Sequence, residues 1–503
     1  MTVMGAATKR EEKGKMFDLV IRGDRVVTPH GVGAWEVAVK GGVIAALAAR
    51  GSFAPDQAAR VIDAGGGIVM PGGIDPHVHC AWYIPALVPG GPPGRSDPPE
   101  QVSRAALWGG TTTIIDFAAS KPDREGDESS SQSVRDTIEA RDQDWVGRCY
   151  CDYAYHIMLR GRVPAATIAE LAEAVEAGYP TVKIFTTDIT PSRRGRMVRF
   201  GDAWEIFKVL SRAGGLGVIH AEDNDIVMHM YDKLFAENRV GFEHLAEVHN
   251  TLSEDLSFRR IIRLAETIEG MALYMMHVSA AAGVQAIAES RVRGFPIYGE
   301  TLHQYLLYTS DDYRKPNGQI YHTYPSLKSK RDQQGLWDGL ARGDLHCVAT
   351  DEVCCNLAVK LQGKRIDDTT GGNSGVEPRV AVIYTETVEK RGYSLEKFVD
   401  MVSANAARIM GLYPRKGAIA VGSDADLTVL DTSLRRTVRA QDLHESDYTP
   451  WEGKEVGAWP VLTVLRGKVV VAGGRFHGDL KDGQYLKRRI PEAIRANHKK
   501  EQR

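Results

Sequence analysis

Six residues of this chain have the types and spacing of a metal site. In PGGIDPHVHC (71–80), His77 and His79 stand two residues apart where an apolar run ends. Imidazoles at i and i+2 leave the same side of a strand, so both reach one ion. Alone, the pair fits surface or hydrogen-bonded histidines equally well. Four further candidates each close an apolar run of their own: Lys183 in PTVKIF, His220 in LGVIHAED, His277 in LYMMHVSA and Asp351 in LHCVATDE. Together they read as one metal site. A bare lysine buried among them without a partner would cost several kcal/mol, so core packing does not explain the set.

The elements that must position these residues alternate in type. From about 71 to 410, strand-like runs (GIVMPGGID, TTTIIDF, YCDYAYHIM, TVKIF, GLGVIH, LYMMHV, FPIYGE, HCVATD) are separated by amphipathic stretches such as PAATIAELAEAVEAG and AWEIFKVLSRAGG, the latter closing on helix-ending glycines. Eight such units predict an α/β fold of the (β/α)8 TIM-barrel type. A doubly wound open sheet is the other architecture compatible with the pattern. A barrel demands that chemistry sit at the C-terminal ends of its strands, where all six candidates fall. Short strand runs at 17–70 recur at 411–475, and neither piece alone buries both faces of a sheet, so the termini are expected to form one smaller β-sandwich domain. Residues 476–503 form a basic, polar tail.

Bulk properties exclude several classes. The 503 residues can bury a large core, and a net charge of −2 with 25% charged residues offers no global field for nucleic acid or an anionic membrane. No apolar stretch approaches the roughly 18 residues of a membrane span. The segment MTVMGAATKREEKGKM lacks the apolar centre of a secretory signal and reads as a frayed leader. The six cysteines (Cys80, Cys149, Cys151, Cys347, Cys354, Cys355) form neither a disulfide framework nor a C-x-x-C zinc module, so a reducing cytoplasm is expected.

With these residues in view the chain resembles the dihydropyrimidinase and hydantoinase family, the cyclic amidohydrolases of the amidohydrolase superfamily. The segments PGGIDPHVH, GGTTTIIDF, VIHAED, HVS, GETLHQYLL, LWDGL, ANAARIMGLYPRKGAIAVGSDADL and EGKEVGAWPVLTVLRGKVV carry the likeness in order, from about residue 17 to 475. The resemblance implies a metal-centred barrel with a β-sandwich from both termini, and two divalent ions per subunit, usually zinc, with manganese as an alternative. It assigns His77, His79 and Asp351 to one ion and His220 and His277 to the other, with Lys183 bridging them as an N-carboxylated lysine. The implied reaction is hydrolysis of a small cyclic amide by a metal-bridging hydroxide, in which Asp351 shuttles the proton to the leaving ring nitrogen and a ring-opened amido acid results. It also implies a homo-oligomer, a tetramer or dimer, with the tail after 475 as its arm.

The substrate-reading shell departs from that family. Its oxyanion tyrosine is missing from KIFTTDIT, where Asp188 stands instead; that carboxylate points away, is protonated, or has ceded the role. In YPSLK, Tyr324 replaces a substrate-contacting serine and either supplies the missing hydroxyl or packs on a loop. Glu352 follows the aspartate ligand where a histidine is usual, and either bonds a ligand, selects a cationic substrate feature or faces outward. Asn373, in GGNSGVEPR, keeps a place for hydrogen-bonding the ring. The Pro/Gly-rich stretch 81–100 reads as a loop over the barrel mouth, with Trp82 and Tyr83 as candidate lining residues. Two other classes remain in view: a related amidohydrolase acting on an acyclic N-acyl or N-carbamoyl amide, allantoin or a lactone, and a non-catalytic scaffold.

Overall fold

In a computed structural model, residues 2–3, 14–119 and 133–497 are described. Most of the expected leader (1 and 4–13) lies outside them. Eight parallel strands form the centre: β1 (Gly73–Asp75), β2 (Thr111–Ala119), β3 (Asp152–Met158), β4 (Thr181–Phe185), β5 (Leu216–His220), β6 (Ala272–Met275), β7 (Ile297–Leu302) and β8 (Cys347–Ala349). Each pairs with the next in chain order. The seam between β8 and β1 closes just beyond the strands, through a parallel bridge between Val78 and Glu352 and a 2.7 Å bond from the Thr350 hydroxyl to Asp75. TVKIF and LGVIH are buried at every position, as expected of strands covered on both faces.

The covering helices follow their sequence signals. Ala165–Glu176 buries Ile168, Leu171, Ala174 and Val175, one apolar stripe. Phe200–Ala213 ends at Gly214, whose φ of 87° is the left-handed conformation that favours glycine; its N–H caps the Leu210 carbonyl. Lys330–Arg342 starts with a reciprocal Ser329–Asp332 capping box.

The two ends of the chain share a second sheet. Phe17–Thr28 pairs with Gly31–Lys40, Ala58–Asp63 and Ile68–Pro71, and Ile68–Pro71 pairs with Leu427–Asp431, which continues to Trp459–Leu465 and Lys468–Ala472. This sheet encloses its own core of Ile21, Val37, Ile62, Val69, Leu427, Val429 and Leu462. The predicted single run GIVMPGGID is therefore split: Ile68–Pro71 belongs to this sheet and Gly73–Asp75 to the barrel.

The described part of the tail does not leave its own chain. Leu486 and Ile490 are buried, Leu486 N–H bonds the Tyr153 carbonyl at 2.7 Å, and the Arg488 guanidinium donates to Thr181 Oγ1 at 2.9 Å. Its apolar residues rest on the barrel beneath them. Residues 498–503 lie outside the described residues.

Candidate metal centre

Five of the six predicted ligands lie at or just beyond the C-terminal ends of barrel strands, and Lys183 lies within its strand. His77 and His79 follow β1, Lys183 is the central residue of β4, His220 ends β5, and His277 and Asp351 follow β6 and β8. Ligand atoms of His77, His79 and Asp351 lie within 4.8 Å of one another. Asp351 Oδ1 is 3.0 Å from His77 Nε2 and 3.1 Å from His79 Nε2. The rings of His220 and His277 meet edge to face at 4.4 Å, and His277 is 5.4 Å from His77. The His220–His277 pair thus adjoins the first cluster without joining it.

Further groups fix these ligands. Glu300 accepts from His77 Nδ1 at 2.6 Å, which turns Nε2 toward Asp351. Glu222 does the same for Nε2 of His220 at 3.0 Å, leaving Nδ1 as the donor atom. The Thr323 hydroxyl donates to Asp351 Oδ2 at 2.5 Å. His277 and Asp351 both have positive φ, 38° and 52°, a conformation that costs a non-glycine residue about 1–3 kcal/mol and is held where surrounding structure demands it.

Electrostatics fit a cation. Burial opposes charge on His77, yet Asp351 and Glu300 outweigh it and raise its pKa to about 9. Burial also favours protonation of Asp351, but the imidazoles of His77 and His79 hold it well below the carboxylate range. Burial lowers the Lys183 amine to about 7. Its one hydrogen-bond partner among the described residues is the Met276 thioether at 2.9 Å. A buried amine so poorly paired, beside two imidazole pairs and a carboxylate, suits a site completed by metal.

Over the described length the chain matches known proteins. The sequence model of the amidohydrolase family fits residues 68–470. The D-hydantoinase of Geobacillus stearothermophilus is 32% identical over 486 residues, covering 95% of this chain and 98% of that protein. The chain belongs to the amidohydrolase family, in its hydantoinase and dihydropyrimidinase branch. The D-hydantoinase of Streptomyces coelicolor is 33% identical over 93% of this chain and 97% of its own length. Among solved structures, the dihydropyrimidinase from Brevibacillus agri superposes with a TM-score of 0.84 at 31% identity, covering 94% of this chain and 98% of that one.

The substrate shell of this family member is its own. Asp188 is turned into its loop, where its carboxylate accepts from Met197 N–H at 2.8 Å and its own N–H bonds Asn224 at 2.9 Å; of the readings open in sequence, this is the outward one. Tyr324 is buried with its ring edge against His322 (4.4 Å) and His249 (4.9 Å), and its hydroxyl lies near those of Thr369 and Tyr231 without a bond of ordinary geometry to either. The Asn373 side-chain amide donates to Ile320 and His322 carbonyls at 2.7 and 3.2 Å and accepts from Gln304 at 3.1 Å, so its side chain is spent on the wall. Glu352 is buried, bonded to Val376 N–H at 3.1 Å, and pushed well above the usual range by burial and by Glu445; it does not face outward. Trp82 packs on His79 at 5.1 Å, whereas Tyr83 is 66% exposed.

Sequence reasoning missed Glu300, Glu222 and His249. The first two lie inside GETLHQYLL and VIHAED, and an acid at the end of an apolar run was the available signal.

Proposed function

We propose that the chain hydrolyses the amide bond of a cyclic substrate, a hydantoin, dihydropyrimidine or related imide ring, to a ring-opened amido acid. The convergence of His77, His79 and Asp351 beside Lys183, His220 and His277, in a chain aligned with hydantoinases nearly end to end, carries this reading. His77, His79 and Asp351 would hold one ion and His220 and His277 a second, zinc or alternatively manganese, with Lys183 between them as N-carboxylysine. Bound there, the ions supply an activated water and polarise the amide carbonyl. Asp351, held by Thr323, takes the proton of the attacking water and returns it to the leaving ring nitrogen. Tyr324 offers its hydroxyl to the oxygen that gains charge, the role vacated at Asp188. Asn373 contributes backbone rather than side chain to the ring. Six buried, unpaired cysteines suit a cytoplasmic location, and a homo-oligomer completes the reading.

The test is metal content per chain together with ring-opening assays on hydantoin, dihydrouracil, allantoin, cyclic imides and N-acyl amino acids. About two ions per chain, with activity lost on chelation and restored by metal, is the expected result. A chain that holds no metal, or that opens none of the rings, refutes it.

A further inference from the structure

The loop that follows β4 carries two guanidiniums for which the reaction above has no use. Asp188 braces this loop: Asn224 holds its N–H, its carboxylate holds Met197 N–H, and Val198 N–H returns to the Phe185 carbonyl at 2.9 Å. The loop between is thus fastened at both ends, and it presents Arg193 and Arg196, each half-buried.

Each guanidinium lies on an aromatic ring, one against the metal centre and the other against His249 and His322 beside it. Arg196 is 5.5 Å from the centroid of Phe185, and the other neighbours of that ring are the Lys183 amine at 5.1 Å and His220 at 5.2 Å. Arg193 is 5.4 Å from the centroid of Tyr324, the residue next to the Thr323 that holds Asp351. Neither guanidinium makes a hydrogen bond or salt bridge through its side chain among the described residues. Asp188, the nearest acid in the loop, has one carboxylate oxygen committed to backbone. Burial, followed by the charges of Arg160 and Arg193, pushes Arg196 well below its usual range and Asp188 offsets this only in part, so a further counter-charge arriving there relieves a remaining repulsion.

We propose that Arg193 and Arg196 are specificity-determining residues that bind an anionic substituent, a carboxylate, on the ring carbon of the cyclic amide, so that the preferred substrates are acidic cyclic amides. Two planar donor forks, already oriented by their aromatic supports, lose little freedom on gripping a carboxylate. A ring whose amide reaches the ligands would carry its substituent toward Phe185 and Tyr324, the two supports. This rests on the cyclic-amide reading for the substrate's core, while the anion requirement rests on the arginines.

The test uses the metal-loaded full chain and two near-isosteric probes, hydantoin-5-acetate and its neutral amide, hydantoin-5-acetamide. Calorimetry gives Kd for each, and separate turnover assays give kcat and KM. The expected result is at least a 10-fold preference of the parent for the acetate. An Arg193→Gln/Arg196→Gln double variant is expected to lose most of that preference, mainly in Kd and KM, and Arg→Lys replacements to restore part of it. A parent that binds both probes equally, or a double variant that keeps the preference, overturns the proposal. If neither probe is opened, the cyclic-amide reading fails separately, and the Kd comparison still decides the arginines. The single variants provide the same comparison should the double variant not fold.

Discussion

Glu222 accepts a hydrogen bond from Nε2 of His220 at 3.0 Å, and its other oxygen is 2.8 Å from Nδ1 of His249. The carboxylate therefore clamps a candidate ligand to a second buried imidazole, whose far nitrogen is 3.1 Å from the Tyr231 hydroxyl. Burial works against a charge on Glu222, but His249 and His220 hold its carboxyl well below the usual range. A Glu222→Ala variant frees the His220 ring to turn and change tautomer. Metal affinity should fall about 10–100-fold, in line with losses of such supporting groups elsewhere. Titration with a competing chelator reads this directly; unchanged retention of metal would show that the clamp is only packing.

A separate prediction concerns Tyr324. Its hydroxyl is buried near those of Thr369 and Tyr231 and makes no bond of ordinary geometry, which leaves it free to pair with a ligand. If the substrate oxygen is that partner, Tyr324→Phe should lower kcat by about 10²–10³ with a smaller change in KM, because the bond matters most when the oxygen carries charge. Equal kcat in the two proteins would assign the residue to the packed aromatic wall with His322 and His249.

The parts legible in sequence were those with short-range physical signals. β4 and β5 declared themselves because strands covered on both faces need unbroken apolar runs, so polar residues such as Lys183 and His220 stood out. The Asp188 loop was harder. Its departure from the family pattern was visible, but the orientation of its carboxylate depends on Met197 and Asn224, partners that periodicity does not connect. The same holds for Glu222 and His249, which lie 27 residues apart and meet only through the fold. The anchoring of the tail was not legible, because its charged composition masks the few apolar residues, Leu486 and Ile490, that it buries.

Lys416 joins the two parts of the molecule. Its buried amine bonds Asp152 at the start of β3 at 2.5 Å, and Asp426 and Asp424 on the approach to the terminal sheet at 2.6 and 3.0 Å. Burial disfavours the ammonium, but these three carboxylates outweigh it and raise its pKa above the usual lysine range. Lys416→Met would leave buried carboxylates short of a counter-charge, so we expect a loss of about 3–5 kcal/mol in stability. Chemical denaturation of parent and variant measures it. A loss well under 1 kcal/mol would mean that Arg466, which also pairs with Asp152, suffices to hold the junction.

Asp97, in the Pro/Gly-rich stretch after β1, makes a prediction about pH. Burial raises its pKa to about 6, only partly offset by the Cys354 thiol, and one carboxylate oxygen has no partner among the described residues. Because the folded state holds this proton more tightly than the unfolded chain, stability from this group is greatest below about pH 4 and declines as pH rises to about 6. Above that, the ionised carboxylate is a constant penalty of about 1–2 kcal/mol, reduced from the full shift because the group is partly solvated. Asp97→Asn removes the charge but keeps the shape. The difference in stability between variant and parent should therefore grow in the variant's favour from pH 4 to 6 and stay level to pH 8. Thermal midpoints across that range test it: a difference independent of pH would show that Asp97 ionises as freely in the folded protein as in the unfolded chain.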